Sequence, residues 1–255
     1  MNIIIKTEEE IRKMRISGRI AADTLFFIEP YVKEGVNTEE INKLCHDYII
    51  SRGAIPAPLN YRGFPKSICT SINNVVCHGI PSEYDVLRNG DIINIDVTVI
   101  KDGYHGDTSK MFLVGNVSEE ARLLVERTEK ATMRAIEIIK PDIFLNEIGK
   151  TIEKYVEKFN YGIVRDFTGH GIGISFHEDP HVCHFDIGNN GPRLKLGMIF
   201  TVEPMINSSS NWKTEVDKKD GWTVYTKDNA LSAQFEHTVL VTRSGYEILT
   251  LPFNR

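Results

Sequence analysis

The 255-residue chain is 41% hydrophobic and 25% charged, the profile of a globular protein with room for a substantial core. A net charge of -5 argues against nucleic acid as a main partner, because phosphate binding calls for a basic face. No apolar run reaches the length of a bilayer span, and MNIIIKTEEE lacks a basic leader with an apolar core, so neither a membrane span nor a signal peptide is expected.

Thr7-Glu8-Glu9-Glu10 reads as a capping box opening a first helix, which ends before Pro30. Asn37 to Glu40 offers a second box, and behind it Ile41, Leu44, Cys45, Tyr48 and Ile49 recur at helical spacing until Gly53. Residues 54–90, punctuated by Pro56, Pro58, Gly63, Pro65, Gly79 and Pro81, predict loops and short strands. From Asp91 to about Val114 the pattern is strand, turn, strand. Ser118 caps a third helix predicted to run to Pro141. A fourth carries Ile148, Ile152, Tyr155, Val156 and Phe159 on one face and ends near Gly162, and residues 163–250 read as strands and loops. With no linker or low-complexity stretch, a single α+β domain over 1–255 is expected. Cys45, Cys69, Cys77 and Cys183 match no zinc-finger or secreted-disulfide spacing, which predicts free thiols in a reducing cytoplasm.

The chain also echoes itself. Gly90-Asp91-Ile92-Ile93-Asn94-Ile95-Asp96 resembles Gly197-Met198-Ile199-Phe200-Thr201-Val202-Glu203, with a carboxylate at the same offset. Cys77-His78-Gly79-Ile80 and Gly169-His170-Gly171-Ile172 precede them in the same order, each behind a pair of helices. This suggests a duplicated unit with halves of about 1–115 and 116–255.

Within the hairpin, a two-residue Asp102-Gly103 turn sets Thr98 opposite Asp107. Asp96 shares the face of Thr98, because side chains alternate, so Asp96 and Asp107 become diagonal neighbours about 7 Å apart or less. Ile95, Val97 and Val99 form the opposite, core-facing side. Carboxylates that close repel unless a cation lies between them or one takes a proton. A polar face that merely meets water is the bland alternative. Against it, Glu203 and Glu236 also lie in apolar strands, where charges persist when paired or bound to metal. His170 sits in the Gly-rich stretch 169–173, and one imidazole with four carboxylates is a hard, oxygen-rich donor set suited to two divalent cations. His78 and His177 are left without a role by this reasoning, while His105, His181, His184 and His237 read as structural or exposed.

Cys77-His78-Gly79-Ile80-Pro81, the Asp96/Asp107 pair, GHGIG-x-x-FHE at 169–178, TVEP at 201–204 and Gln234-Phe235-Glu236-His237 together resemble the type I methionine aminopeptidases, over essentially the whole chain. The resemblance implies an α+β pita-bread fold, internally duplicated, with a curved antiparallel sheet covered by two pairs of helices. It implies a dinuclear metal site: Asp96 on one ion, His170 and Glu203 on the other, Asp107 and Glu236 bridging. Cobalt, manganese, iron(II) and zinc all suit that set. A metal-activated water would then attack the carbonyl after an N-terminal methionine whose second residue is small, with Glu203 as general base and then acid. His177 would stabilise the developing oxyanion and His78 would hydrogen-bond near the scissile amide. Tyr61, Phe64, Cys69, Phe176 and Trp222 match the family's methionine pocket, although some members carry cysteine where this chain has Pro58. Asn73, Val75 and Ser232 match a monovalent-cation site. The implied setting is a cytoplasmic monomer acting on nascent polypeptide N-termini at the ribosome, without nucleic acid or membrane as a specific partner. An X-Pro-cleaving peptidase of the same fold is disfavoured, because such relatives carry a long N-terminal domain. The type II enzymes insert a subdomain between FHE and TVEP, where this chain has only 24 residues between Glu178 and Glu203. A metal-free binding protein of the fold is disfavoured by the intact ligand set.

Overall fold

The computed structural model describes residues 2–253. Helix α1 spans Glu8–Ile28, and its start is the expected capping box: the Thr7 hydroxyl accepts from the Glu10 amide while the Glu10 carboxylate accepts from the Thr7 amide. Helix α2, Thr38–Ser51, is capped by Asn37, whose side-chain oxygen accepts from the Glu40 amide at 2.9 Å. Ser118 caps α3, Glu119–Glu137, in the same way. That helix ends at Glu137, before the limit Pro141 would set, and the chain turns off where the Ile139 amide donates to the Ile136 carbonyl. Helix α4, Asn146–Val156, buries Ile148, Ile152 and Val156, and a 3-10 turn at Glu157–Phe159 ends on left-handed Asn160.

Nine strands form one antiparallel sheet. Its order is Ile55–Pro56, Ile92–Lys101, Tyr104–Leu113, Glu236–Val241, Ile199–Val202, Gly169–Gly171 and Glu178–Val182. Cys69–Ile72 pairs with Ile92–Lys101, and Tyr246–Ile248 with Glu236–Val241. The hairpin turn has Asp102 at φ 51° and Gly103 at φ 81°, the two left-handed residues that match the twist of the flanking strands. Thr98 lies opposite Asp107, as the turn predicts.

The alternation then sorts the two faces. Ile95, Val97 and Val99 are fully buried with Ile20, Leu25 and Ile28 of α1 and Ile41, Cys45 and Ile49 of α2. On the other half of the sheet, Phe200, Val202, Val239 and Val241 are buried with Leu124 and Ile136 of α3 and Ile148 and Ile152 of α4. Both helix pairs therefore cover the same kind of face, and the residues between these core positions point away from the helices. The halves meet where Tyr104–Leu113 pairs with Glu236–Val241, in a short register of Glu236 with Ser109 and His237 with Thr108. Threonines staple that seam. The Thr238 hydroxyl accepts from the Asp107 amide at 3.1 Å and donates to its carbonyl at 2.8 Å, and the Thr108 hydroxyl donates to the Glu236 carbonyl at 2.6 Å. The four cysteines are free, three of them buried, as expected. Among the described residues no helix is long and apolar enough to cross a membrane.

Candidate active site

The face turned away from the helices closes over a cavity of about 340 Å³. Asp96, Asp107, His170, Glu203 and Glu236 all line it. The hairpin contributes Asp96 and Asp107, the end of Ile199–Val202 contributes Glu203, the Gly-rich strand contributes His170, and Glu236 opens its strand at the seam. Ligand atoms of Asp107, His170 and Glu236 lie within 4.8 Å of one another. His170 Nε2 is also 3.6 Å from Glu203 Oε1 and 3.7 Å from Asp107 Oδ2.

Hydrogen bonds fix how these groups are presented. His170 Nδ1 donates to the Gly171 carbonyl at 2.9 Å, which leaves the Nε2 lone pair aimed among the carboxylates. Thr98 Oγ1 donates to Asp107 Oδ1, and Thr201 Oγ1 donates to Glu203 Oε1, each at 2.6 Å. Gln234 adds a longer contact to Glu203 Oε2 at 3.3 Å. Two oxygens are left over: Asp96 Oδ1 and Glu236 Oε1 are buried with no hydrogen-bond partner among the described residues. Buried carboxylate oxygens are normally matched by a donor or a cation.

The electrostatics agree. Burial raises the Asp96 pKa to about 7 and that of Glu203 to about 8. Burial, and then the neighbouring acids, drive Asp107 and Glu236 well above the ordinary carboxylate range. Burial also lowers His170 to about 4, so its imidazole is neutral and free to ligate. Four acids that resist ionising, beside a neutral imidazole and two orphaned oxygens, fit divalent cations and fit little else.

The remaining expected residues stand around this floor. His177 Nδ1 lies 2.9 Å from the Tyr61 hydroxyl, and its ring stacks on Phe176 and approaches His170 at 4.2 Å between centroids. Burial, then His170, lowers its pKa to about 3. His78 adopts φ 56°, an uncommon left-handed backbone for a non-glycine residue, and meets Phe167 and Trp222 edge-on. Tyr61, Phe64, Cys69, Phe176 and Trp222 all line the cavity, as does Pro58. Outside it, the Asn73 carbonyl accepts from the Ser232 amide at 2.8 Å, Val75 opens the strand Val75–Cys77, and the buried Ser232 hydroxyl has no partner among the described residues.

Sequence reasoning missed several neighbours. His181, read as structural, lines the cavity because it pairs with His170 across Gly169–Gly171 and Glu178–Val182. His184 Nε2 accepts from the Glu203 amide at 3.1 Å behind the site. Phe167 and Met205 complete the apolar wall. Thr201 was legible in principle, since it precedes Glu203 by two on a strand and so shares its face.

The model of metallopeptidase family M24 matches residues 12–243. A methionine aminopeptidase of Rickettsia prowazekii is 55% identical over 98% of this chain and 96% of its own length. Its crystal structure superposes with a TM-score of 0.95, covering 98% of this chain and 100% of the other. A methionine aminopeptidase of Escherichia coli strain K12 is 54% identical over 98% of this chain and 95% of its own. A prolidase from Pyrococcus furiosus, 24% identical with a TM-score of 0.76, shares the fold; 97% of this chain covers 65% of it.

Proposed function

The chain belongs to metallopeptidase family M24, and on that premise we propose that its cavity removes the N-terminal methionine from peptides and nascent proteins whose second residue is small. The observation that carries this reading is the convergence of Asp107, His170 and Glu236 within 4.8 Å, beside orphaned oxygens of Asp96 and Glu236. Asp96 would hold one divalent cation, His170 and Glu203 a second, and Asp107 and Glu236 both. Such a pair lowers the pKa of a shared water and polarises the scissile carbonyl. The protein's own groups do the rest. Glu203, steadied by Thr201, moves the water's proton toward the leaving amine. With the Tyr61 hydroxyl donating to Nδ1, the His177 ring carries its proton on Nε2 and can donate it to the developing oxyanion. His78 hydrogen-bonds near the scissile amide. Tyr61, Phe64, Cys69, Phe176 and Trp222 enclose the methionine, whose polarisable sulfur suits aromatic walls.

The buried Ser232 hydroxyl, with no hydrogen-bond partner among the described residues and with its amide bonded to the Asn73 carbonyl, supports a monovalent-cation site formed with Asn73 and Val75. The strand order supports duplicated halves: outward from the seam each presents an acid-bearing strand and then a second one. We assign the protein to the cytoplasm, as a monomer meeting nascent chains at the ribosome. One experiment tests the core of this reading: metal content measured together with methionine release from Met-Ala-Ser, Met-Gly, Met-Leu and Met-Lys peptides. Release should require metal and fall steeply at Met-Leu and Met-Lys. Metal-independent release, or equal rates across the series, would overturn it.

A further inference from the structure

His177 rides on a short loop, residues 172–177, between the strands Gly169–Gly171 and Glu178–Val182. The Gly173 amide donates to the Ser175 carbonyl at 3.1 Å, and the His105 amide and Nδ1 donate to the Gly173 carbonyl at 2.9 and 3.0 Å. The loop runs into Glu178, the first residue of the next strand and next in sequence to His177. One Glu178 oxygen accepts from the Ser175 amide at 3.1 Å, and the other meets Lys6 Nζ at 2.5 Å. The two side chains are 2% and 7% exposed, Lys6 first. Among the described residues, no other lysine or arginine pairs with Glu178.

Lys6 arrives from 172 residues away, on a segment pinned independently to the same region. Its amide donates to the Gly197 carbonyl at 2.9 Å, and the Asn2 amide donates to Asp179 Oδ2 at 2.6 Å. A Cβ on Gly173 would lie 2.3 Å from Lys6 Nζ, so the ammonium rests against the loop backbone itself. The strap thus places a desolvated cation at the base of the loop. A buried carboxylate that loses its only cation must find water or rearrange. Here the residue it would drag is His177.

We infer that Lys6 is a positioning residue: through Glu178 it fixes the loop that aims His177 at the substrate carbonyl. The inference rests on the aminopeptidase reading above, and it extends the functional unit to a residue outside the cavity. A misplacement of about 1 Å at a reacting group can cost roughly a hundredfold in rate. The role therefore shows in turnover even where the fold survives.

The test is a double-mutant cycle on release of methionine from Met-Ala-Ser, with metal content measured alongside. Lys6→Met should lower kcat about 10- to 100-fold with metal content unchanged. On a His177→Ala background the same substitution should cost less than about threefold, because the group it positions is already gone. Lys6→Arg should restore most of kcat. Gly173→Ala, which leaves both charges in place but wedges Lys6 away, should reproduce the loss and serves in the cycle if Lys6→Met does not fold. Equal losses with and without His177, or loss of metal, would overturn the positioning role. Failure of the wild-type protein to release methionine would instead overturn the proposed function, so the two failures are distinguishable.

Discussion

Thr201→Val removes one hydroxyl and almost no volume. That hydroxyl donates to Glu203 Oε1 at 2.6 Å and accepts from the His170 amide at 2.9 Å, so it ties together two expected ligands of one cation. Burial raises the Glu203 pKa to about 8, and the bond from Thr201 pulls it the other way. Without a cation the carboxyl is therefore largely protonated at pH 7, and binding must remove that proton. The hydroxyl bond stabilises the ionised form, so it counts toward cation affinity. A hydrogen bond to a charged group is worth about 1.5–3 kcal/mol. The variant should bind the Glu203-side cation about ten- to a hundredfold more weakly, the range typical of a ligand's supporting partner. Calorimetric titration of the metal-stripped protein with Mn(II) at several pH values reads this directly. The deficit should narrow toward alkaline pH, where Glu203 is ionised before the cation arrives. Unchanged affinity at pH 7, or a deficit of the same size at every pH, would refute the reasoning.

Asp107→Asn should abolish activity and weaken both cations, since a shared oxygen and a charge vanish together; two tightly held ions in that variant would contradict bridging. His177→Ala should lower turnover by about 10²–10³-fold while metal content stays the same, and metal loss would make it a ligand instead. The metal-stripped protein should lose stability as pH rises from 6.5 to 8, because acids with raised folded pKa values stabilise it below their unfolded values near 4 and lose that contribution through about 7 for Asp96 and about 8 for Glu203. The histidines with lowered pKa values work in the opposite sense, but only the upper half of their unfolded-state titration, centred near 6.5, falls in this window, and it levels off by about pH 7.5. Thermal melts with and without chelator check it: a flat or rising profile in that window would remove the case for unneutralised buried acids.

The hairpin was legible because its constraints are local. Asp102-Gly103 supplies the two positive φ values, the turn sets the register, and period two then puts Asp96 and Asp107 on one face. The helix starts were legible for the same reason, since each cap lies within four residues of the amide it serves. The far end of α3 was not, because the chain leaves the helix before Pro141 makes it do so. Contacts across the fold were hidden. The Tyr61 hydroxyl that hydrogen-bonds His177 Nδ1 is 116 residues away, and neither composition nor spacing links the two. His181 looked ordinary until its strand was seen beside that of His170. Lys6 had no part in the sequence reading, because its partner Glu178 lies 172 residues away.

The short seam between the halves also has a consequence in time. Asp107 is joined there to Thr238, 131 residues later in the chain. At about 5–20 residues per second of synthesis, the aspartate pair waits roughly 7–26 seconds for the strand that completes its surroundings. Until then two acids share one face of a hairpin with neither glutamate nor His170 beside them, and water must keep them charged. The first half therefore cannot bury the face that defines it. A fragment of residues 1–115 is expected to show no cooperative melting, and to gain it only when residues 116–255 are added with a divalent cation; a sharp transition for the fragment alone would show that the hairpin tolerates its acids unaided. Order on the site-bearing side of the sheet arrives last, and all at once.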